Sequence, residues 1–327
     1  MTSKSEVNEL IFGRLKNGDV LGFEKIIEIC DSKGMRSNFF IDVCEVEKYG
    51  HNTWQNICHT IKEQGHEVEL HTHPRRFYNH GREHLWEYSL SEQVEILKYG
   101  RKLIKEWTGE NPVAHRAGAY GINEDTFVAL RENEIPIDSS SFYGHPNCKA
   151  VVTKNKIVEH NGIVEIPVTV LRRVRRVKLG NWVLKQQLSF VKTDIDWANL
   201  DELKSFVQQA KGNNVKVMTL FLHSYSLLKY DRSFTHFEPD WNDIEKLNKF
   251  LNFVANDPEI KVITMREFYE MYQQNPEQFI GSDYVPVIEY NEQFNPIKYG
   301  ARRAKSNIRR LVQSSLKLIF GGNCRKL

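Results

Sequence analysis

The chain has 327 residues, 40% hydrophobic and 27% charged, with 45 Lys and Arg against 42 Asp and Glu. That balance is ordinary for a soluble globular protein of one large α/β domain or two smaller ones, and a net charge of +3 implies no particular partner. Five widely spaced cysteines (30, 44, 58, 148, 324), with no C-x-x-C pair, argue against a thiolate zinc site or a disulfide framework.

Residues 1–15 lack a secretory pattern, and no run approaches the ~20 apolar residues that span a bilayer, so the expected address is cytoplasmic. Residues 22–33 carry Phe23, Ile26, Ile27 and Ile29 at helical spacing, and Gly34 is a stop signal. The β-rich run NFFIDV follows at 38–43. Residues 54–64 read as a helix ended by Gly65, and 68–71 as a short strand. Residues 90–106 form an amphipathic helix with Val94, Leu97, Tyr99, Leu103 and Ile104 as candidate core.

Residues 112–116 are expected to be extended, 125–133 helical, 163–170 a strand and 200–210 a helix. VKVMTLFL at 215–222 is the most continuous apolar run and reads as a strand buried on both faces. A helix at 241–255, a strand at 261–264 and a helix at 265–272 complete the alternation. Such alternation predicts a mostly parallel sheet wrapped by helices, open or closed as a barrel, with chemistry at the C-terminal ends of its strands. Beyond 274 the pattern breaks. The predicted division is a catalytic domain over 1–274 and a basic, loosely structured extension over 275–327.

The histidines are the informative class. His71 and His73 flank Thr72 at a strand end, and alternate residues of an extended chain point to the same side, so both can reach one metal. The plainer alternative is two surface histidines in a loop. His223 follows directly on the apolar run, where an imidazole is well placed for acid–base work, or is simply half-buried and bonded to backbone. In HRAGAYG at 115–121, two glycines permit close backbone approach and leave Arg116 able to orient a carboxylate, or the segment is a structural turn in which the Arg is incidental. Asp194, Asp196 and Trp197 precede a helix, and a carboxylate there reads first as its N-cap.

Together GHEVELHTHP at 65–74, HRAGAYG at 115–121 and LFLHS at 220–224, in that order, resemble the NodB-type polysaccharide deacetylases of carbohydrate esterase family four, in a His-x-His-Pro form. NFF at 38–40 looks like that family's second-strand segment. The resemblance covers about residues 20–272. It implies a distorted (β/α) barrel with a divalent metal, usually zinc, that removes N-acetyl or other acyl groups from an amino sugar in a glycan or glycan precursor. By that resemblance His71 and His73 are metal ligands, with Arg75 standing where the family's second histidine usually falls. Arg116 orients the catalytic carboxylate, His223 protonates the leaving amine, and Tyr120, Leu222 and Tyr225 shape the sugar site. Asp196-Trp197 matches the family's Asp-Trp motif loosely. The family's first motif, a metal-ligand Asp beside a base Asp, has no counterpart here. Residues 1–20 offer Glu6 and Glu9, and Asp19 comes too late, so the expected barrel lacks its first strand.

The competing function is a catalytically impaired homologue that binds carbohydrate through the same groove. Arg172, Arg173, Arg175, Arg176 and Lys178 interleave with Val174 and Val177, a pattern that more often makes a solvated strand face than a nucleic-acid site, and no nucleic-acid partner is expected. The basic tail at 299–327, with apolar residues at helical spacing, is expected to touch an anionic membrane.

Overall fold

Helix boundaries follow local capping chemistry in this computed structural model, which describes residues 7–75, 81–150, 153–231 and 236–295. Helix α1 (Phe23–Asp31) buries Phe23, Ile26, Ile27 and Ile29 on one side, as their spacing predicts. Between strands β1 (Asn38–Asp42) and β2 (Glu67–Thr72) lies α2 (His51–Glu63). Helix α3 (Leu90–Thr108) starts on Ser89, whose backbone N–H donates to the Glu92 carboxylate at 2.8 Å, and stops at Gly109 with φ +80°. Strand β3 (Ala114–Ala117), helix α4 (Glu124–Glu132) and strand β4 (Ile137–Asp138) follow, then the hairpin of β5 (Val158–His160) and β6 (Ile163–Glu165).

These strands form one sheet in the order β1-β2-β3-β4-β6-β5, parallel throughout except for the β5–β6 hairpin. The register places Asp42 of β1 opposite His71 of β2, and His71 opposite Arg116 of β3. Three chemistry-bearing residues thus stand in one row at the C-terminal end of neighbouring strands. Outside them, Leu70, Leu97, Ile104, Leu130 and their neighbours make a fully buried layer between sheet and helices. This is the expected α/β fold, with the parallel sheet and outer helices of a distorted barrel.

Past β6 the wall continues through single hydrogen bonds. Thr193 N donates to Thr169 O, Phe221 N to Thr193 O, and Ile195 N to Phe221 O. Residues 215–222, expected as a strand buried on both faces, make one isolated bridge, Asp194 with Phe221. The reason is visible at Thr169, Thr193 and Thr219. Thr219 N donates to Thr169 Oγ1 at 2.9 Å, and Thr193 Oγ1 donates to Thr219 O at 2.5 Å, so hydroxyls occupy positions a backbone ladder would use. Residues 261–264, also expected as a strand, have no ladder partner among the described residues.

The remaining elements are strands β7 (Val170–Leu179) and β8 (Trp182–Lys192), helix α5 (Leu200–Gly212), and a small hairpin of β9 (Leu228–Tyr230) and β10 (Phe237–Pro239). Helices α6 (Trp241–Ala255) and α7 (Met265–Gln274) and strand β11 (Val287–Gln293) complete the described chain. Ahead of α1, residues 7–22 hold a π-helical turn, Val7–Ile11, and an Arg14–Val20 bridge; among the described residues, no strand of the sheet precedes β1.

The chain divides into two compact units. The larger takes residues up to 172 together with 190–288; the smaller takes 173–189 and, among described residues, 289–295. The boundary expected after 274 therefore moves. Residues 276–279 form a 3-10 turn whose Phe279 is buried against Phe268, and Ser282 N donates to Asn214 O, so this stretch packs with the larger unit despite its Pro and Asn content. The basic tail at 299–327, with its expected membrane contact, lies outside the described residues. Among the described residues no helix is long and apolar enough to cross a membrane.

Candidate active site

His71 Nδ1 lies 2.6 Å from the carbonyl oxygen of Arg116. A carbonyl can only accept, so Nδ1 carries the proton and Nε2 keeps its lone pair, the tautomer a metal ligand needs. His73 sits beside it with ring centroids 4.9 Å apart at 83°. Burial pulls both imidazoles below their usual pKa; the charge a protonated His73 would carry adds to the shift at His71, and the Arg75 cation adds to that at His73. Both therefore stand in the neutral form that ligates. Asp42 partly opposes the shift at His73, and its Oδ1 accepts from the His73 backbone N–H at 3.2 Å.

The glycine turn after β3 makes room for this pair. A Cβ on Gly118 would fall 2.4 Å from His73 Nδ1, and one on Gly121 would fall 2.5 Å from His84 Cβ. Between them Ala119 and Tyr120 both take positive φ, +50° and +61°, a strained arrangement for non-glycine residues. The close approach expected of these glycines is present, directed at imidazole rings.

Arg116 departs from expectation. Its Nε and Nη2 donate to Ser139 O and Ser139 Oγ, both at 3.1 Å. Its guanidinium lies between the rings of Phe40 and Phe221, 4.1 and 3.9 Å from their centroids. Burial pushes its pKa down to about 10. Among the described residues it hydrogen-bonds no carboxylate; it fills the space between sheet and the 219–221 segment, and its backbone carbonyl is what serves the site. His115, its neighbour, is buried between Asp138 (2.8 Å) and Thr72 (3.0 Å) and locks β2, β3 and β4 together.

Across the strand tips stands a second group. Asp196 Oδ2 accepts from Ser226 Oγ at 3.0 Å and lies 3.6 Å from His223 Nδ1, while His223 N donates to the same Ser226 Oγ at 2.8 Å. Burial alone would raise the Asp196 pKa, but the contacts from His223 and Ser226 outweigh it and hold the carboxyl below its usual range. The expected N-cap role belongs instead to Asn199, whose Oδ1 accepts from Glu202 N at 2.9 Å. Sequence reasoning also passed over Lys192. It is buried, with Nζ 2.6 Å from Asp194 Oδ2 and 4.9 Å from the Trp197 ring.

Tyr225 stacks on His223 at 4.9 Å and 13°, and both line a cleft of about 480 Å³ with Asp196, Trp197, Ser226 and Tyr230. Tyr120 packs edge-on against Phe142 and His145, each at 4.9 Å. Leu222, expected at the sugar site, packs into the cluster around α5 and α6 and does not line the cleft. His71 and His73 are likewise absent from the cleft lining.

Two donor sets could hold a cation. Asp194, Asp196 and His223 have donor atoms within 4.8 Å of one another, but Asp194 is already neutralised by Lys192. His71 and His73 offer two neutral imidazoles, with Nδ1 of His71 committed to the Arg116 carbonyl, and Asp42 lies opposite His71 on the adjacent strand.

No protein of curated function matches this chain in sequence. Among solved structures it is similar to a Mycobacterium smegmatis protein described as a polysaccharide deacetylase, with TM-score 0.53 and 14% identity over 81% of this chain and 79% of that one. It is similar at lower TM-score, 0.39, to the peptidoglycan deacetylase PdaC of Bacillus subtilis, at 12% identity over 77% of this chain and 85% of that one. Residues 17–136, which contain Asp42, His71, His73 and Arg116, match the family model described as polysaccharide deacetylase. The matched stretch spans strands β1 to β3 and so takes in the Asp42, His71 and His73 side of the strand tips but not Asp196 or His223.

Proposed function

We propose that this protein is a divalent-metal-dependent deacetylase that removes an N-acetyl or related acyl group from an amino sugar in a glycan or glycan precursor. The observation that supports this reading is the adjacent imidazole pair, His71 and His73, with the Nδ1 proton of His71 committed to the Arg116 carbonyl oxygen. His71 and His73 would hold the ion, zinc by donor type, with Asp42 as their carboxylate companion. When bound, such an ion polarises an acyl carbonyl and lowers the pKa of bound water.

The chain's own residues divide the remaining work. Arg116 fixes the His71 ring through its carbonyl. Asp196 faces His223 Nδ1, leaving Nε2 to deliver a proton to the departing amine. Tyr225, stacked on His223, limits rotation of that imidazole and offers a face to a sugar ring.

Acetate release from N-acetylated oligosaccharide, with zinc and with chelator, tests the proposal. Zinc-dependent release that disappears in His71→Ala supports it. Oligosaccharide binding with no release under either condition replaces it with the binding-protein reading.

A further inference from the structure

The β7–β8 hairpin exposes an unusual amount of apolar surface for so short a segment. Side chains alternate along a strand, so Trp182, Leu184 and Leu188 share one face of β8. They are 79%, 52% and 57% exposed, and Leu179 and Val183 beside the turn are 56% and 50% exposed. The turn itself is two residues, Gly180 at φ +58° and Asn181, which lifts Trp182 to the tip.

Charge on the same hairpin is of one sign. Residues 170–192 contain seven Lys or Arg (172, 173, 175, 176, 178, 185, 192) and no Asp or Glu. Arg176 is held by Glu289 at 2.6 Å and Lys192 is buried, whereas Arg175 and Lys185 are exposed.

We propose that the tip of this hairpin is a docking surface for an anionic lipid bilayer, with Leu179, Trp182, Val183 and Leu184 around the turn entering the headgroup–acyl boundary and the exposed cations of its stem facing lipid phosphates. Indole at the tip suits the interfacial layer, where one edge stays wet, and each cation near an anionic surface adds about 1 kcal/mol of attraction. A second copy of the chain would bring the same cations onto themselves, and Lys185 guards the β8 edge against strand pairing. A nucleic-acid backbone would use the cations but has no use for three exposed leucines and a valine.

Co-sedimentation of the full chain with vesicles tests this. Binding is expected to vesicles of phosphatidylcholine with one quarter phosphatidylglycerol, to weaken in high salt, and to be far weaker on phosphatidylcholine alone. Trp182→Ser with Leu184→Ser is expected to lower vesicle affinity by about ten-fold or more at unchanged melting temperature. Arg175→Glu with Lys185→Glu is the second variant, expected to lower it by at least about five-fold per site. Unchanged binding in both folded variants overturns the proposal, since the basic tail remains in each. So does single-stranded RNA binding that survives Trp182→Ser/Leu184→Ser while vesicles of either composition are ignored.

Discussion

His71 and Arg116 are joined through the backbone: Nδ1 of the histidine donates to the arginine's carbonyl oxygen at 2.6 Å, while the guanidinium points away between Phe40 and Phe221. The bond survives any side chain at 116, which separates ring orientation from guanidinium chemistry. His71→Ala should therefore lower zinc affinity by at least 10–100-fold, about the loss that follows removal of a ligand's outer partner alone. Zinc content after dialysis against a graded chelator series reads this directly. Arg116→Met should leave zinc content nearly intact while lowering the melting temperature; metal loss equal to that of His71→Ala would contradict the backbone assignment.

Asp196→Asn keeps the shape but removes the charge facing His223 Nδ1. On the proposed function, kcat should fall by about 100-fold with little change in KM or zinc content. A KM rise at constant kcat would instead make Asp196 a sugar contact.

Gly118→Ala places a methyl 2.4 Å from His73 Nδ1, so the ring or the strained turn must shift. Overpacking of this kind costs about 1–3 kcal/mol. Both zinc affinity and melting temperature should drop, whereas Gly109→Ala, at φ +80° with open space around it, should affect stability alone.

Glu69 is buried beneath the site, with Oε2 accepting from Val113 N at 2.9 Å and Ala114 N at 2.7 Å. Burial first, then the charge of Glu67, holds its pKa well above the ordinary 4.5. A raised folded pKa means the folded state binds the proton more tightly. Its stabilising contribution is full below about pH 4.5 and is lost as pH rises through the folded value. Glu69→Gln retains an acceptor for both amides and cannot ionise. Relative to the parent, this variant should gain melting temperature progressively from pH 5 to 8; a constant offset across that range would contradict the assignment.

Much of the frame was legible because it is local. The α1 stripe, the Ser89–Glu92 box and the Gly109 stop are written in adjacent residues, and the parity of His71 and His73 needs only an extended chain. What escaped depends on register or on hydroxyls. Asp42 stands within the NFFIDV run in plain view, yet only the parallel pairing of β1 with β2 sets it opposite His71. Asp194 reads as a helix-cap carboxylate and Lys192 carries no signal until burial joins them. The cap expected of Asp196 goes to Asn199 because Ser226, thirty residues on, claims the carboxylate first. The 215–222 run has strand composition, but Thr169, Thr193 and Thr219 substitute side-chain bonds for a ladder.

That substitution gives the two halves of the site unequal foundations. β2, carrying His71 toward His73, is laced on both sides by parallel ladders, whereas His223 stands two residues past a single bridge. Segments with fewer backbone bonds open at lower free energy. On the proposed function, gentle warming should thus unseat His223 while His71 and His73 keep their places, leaving a protein that would bind zinc but no longer release acetate.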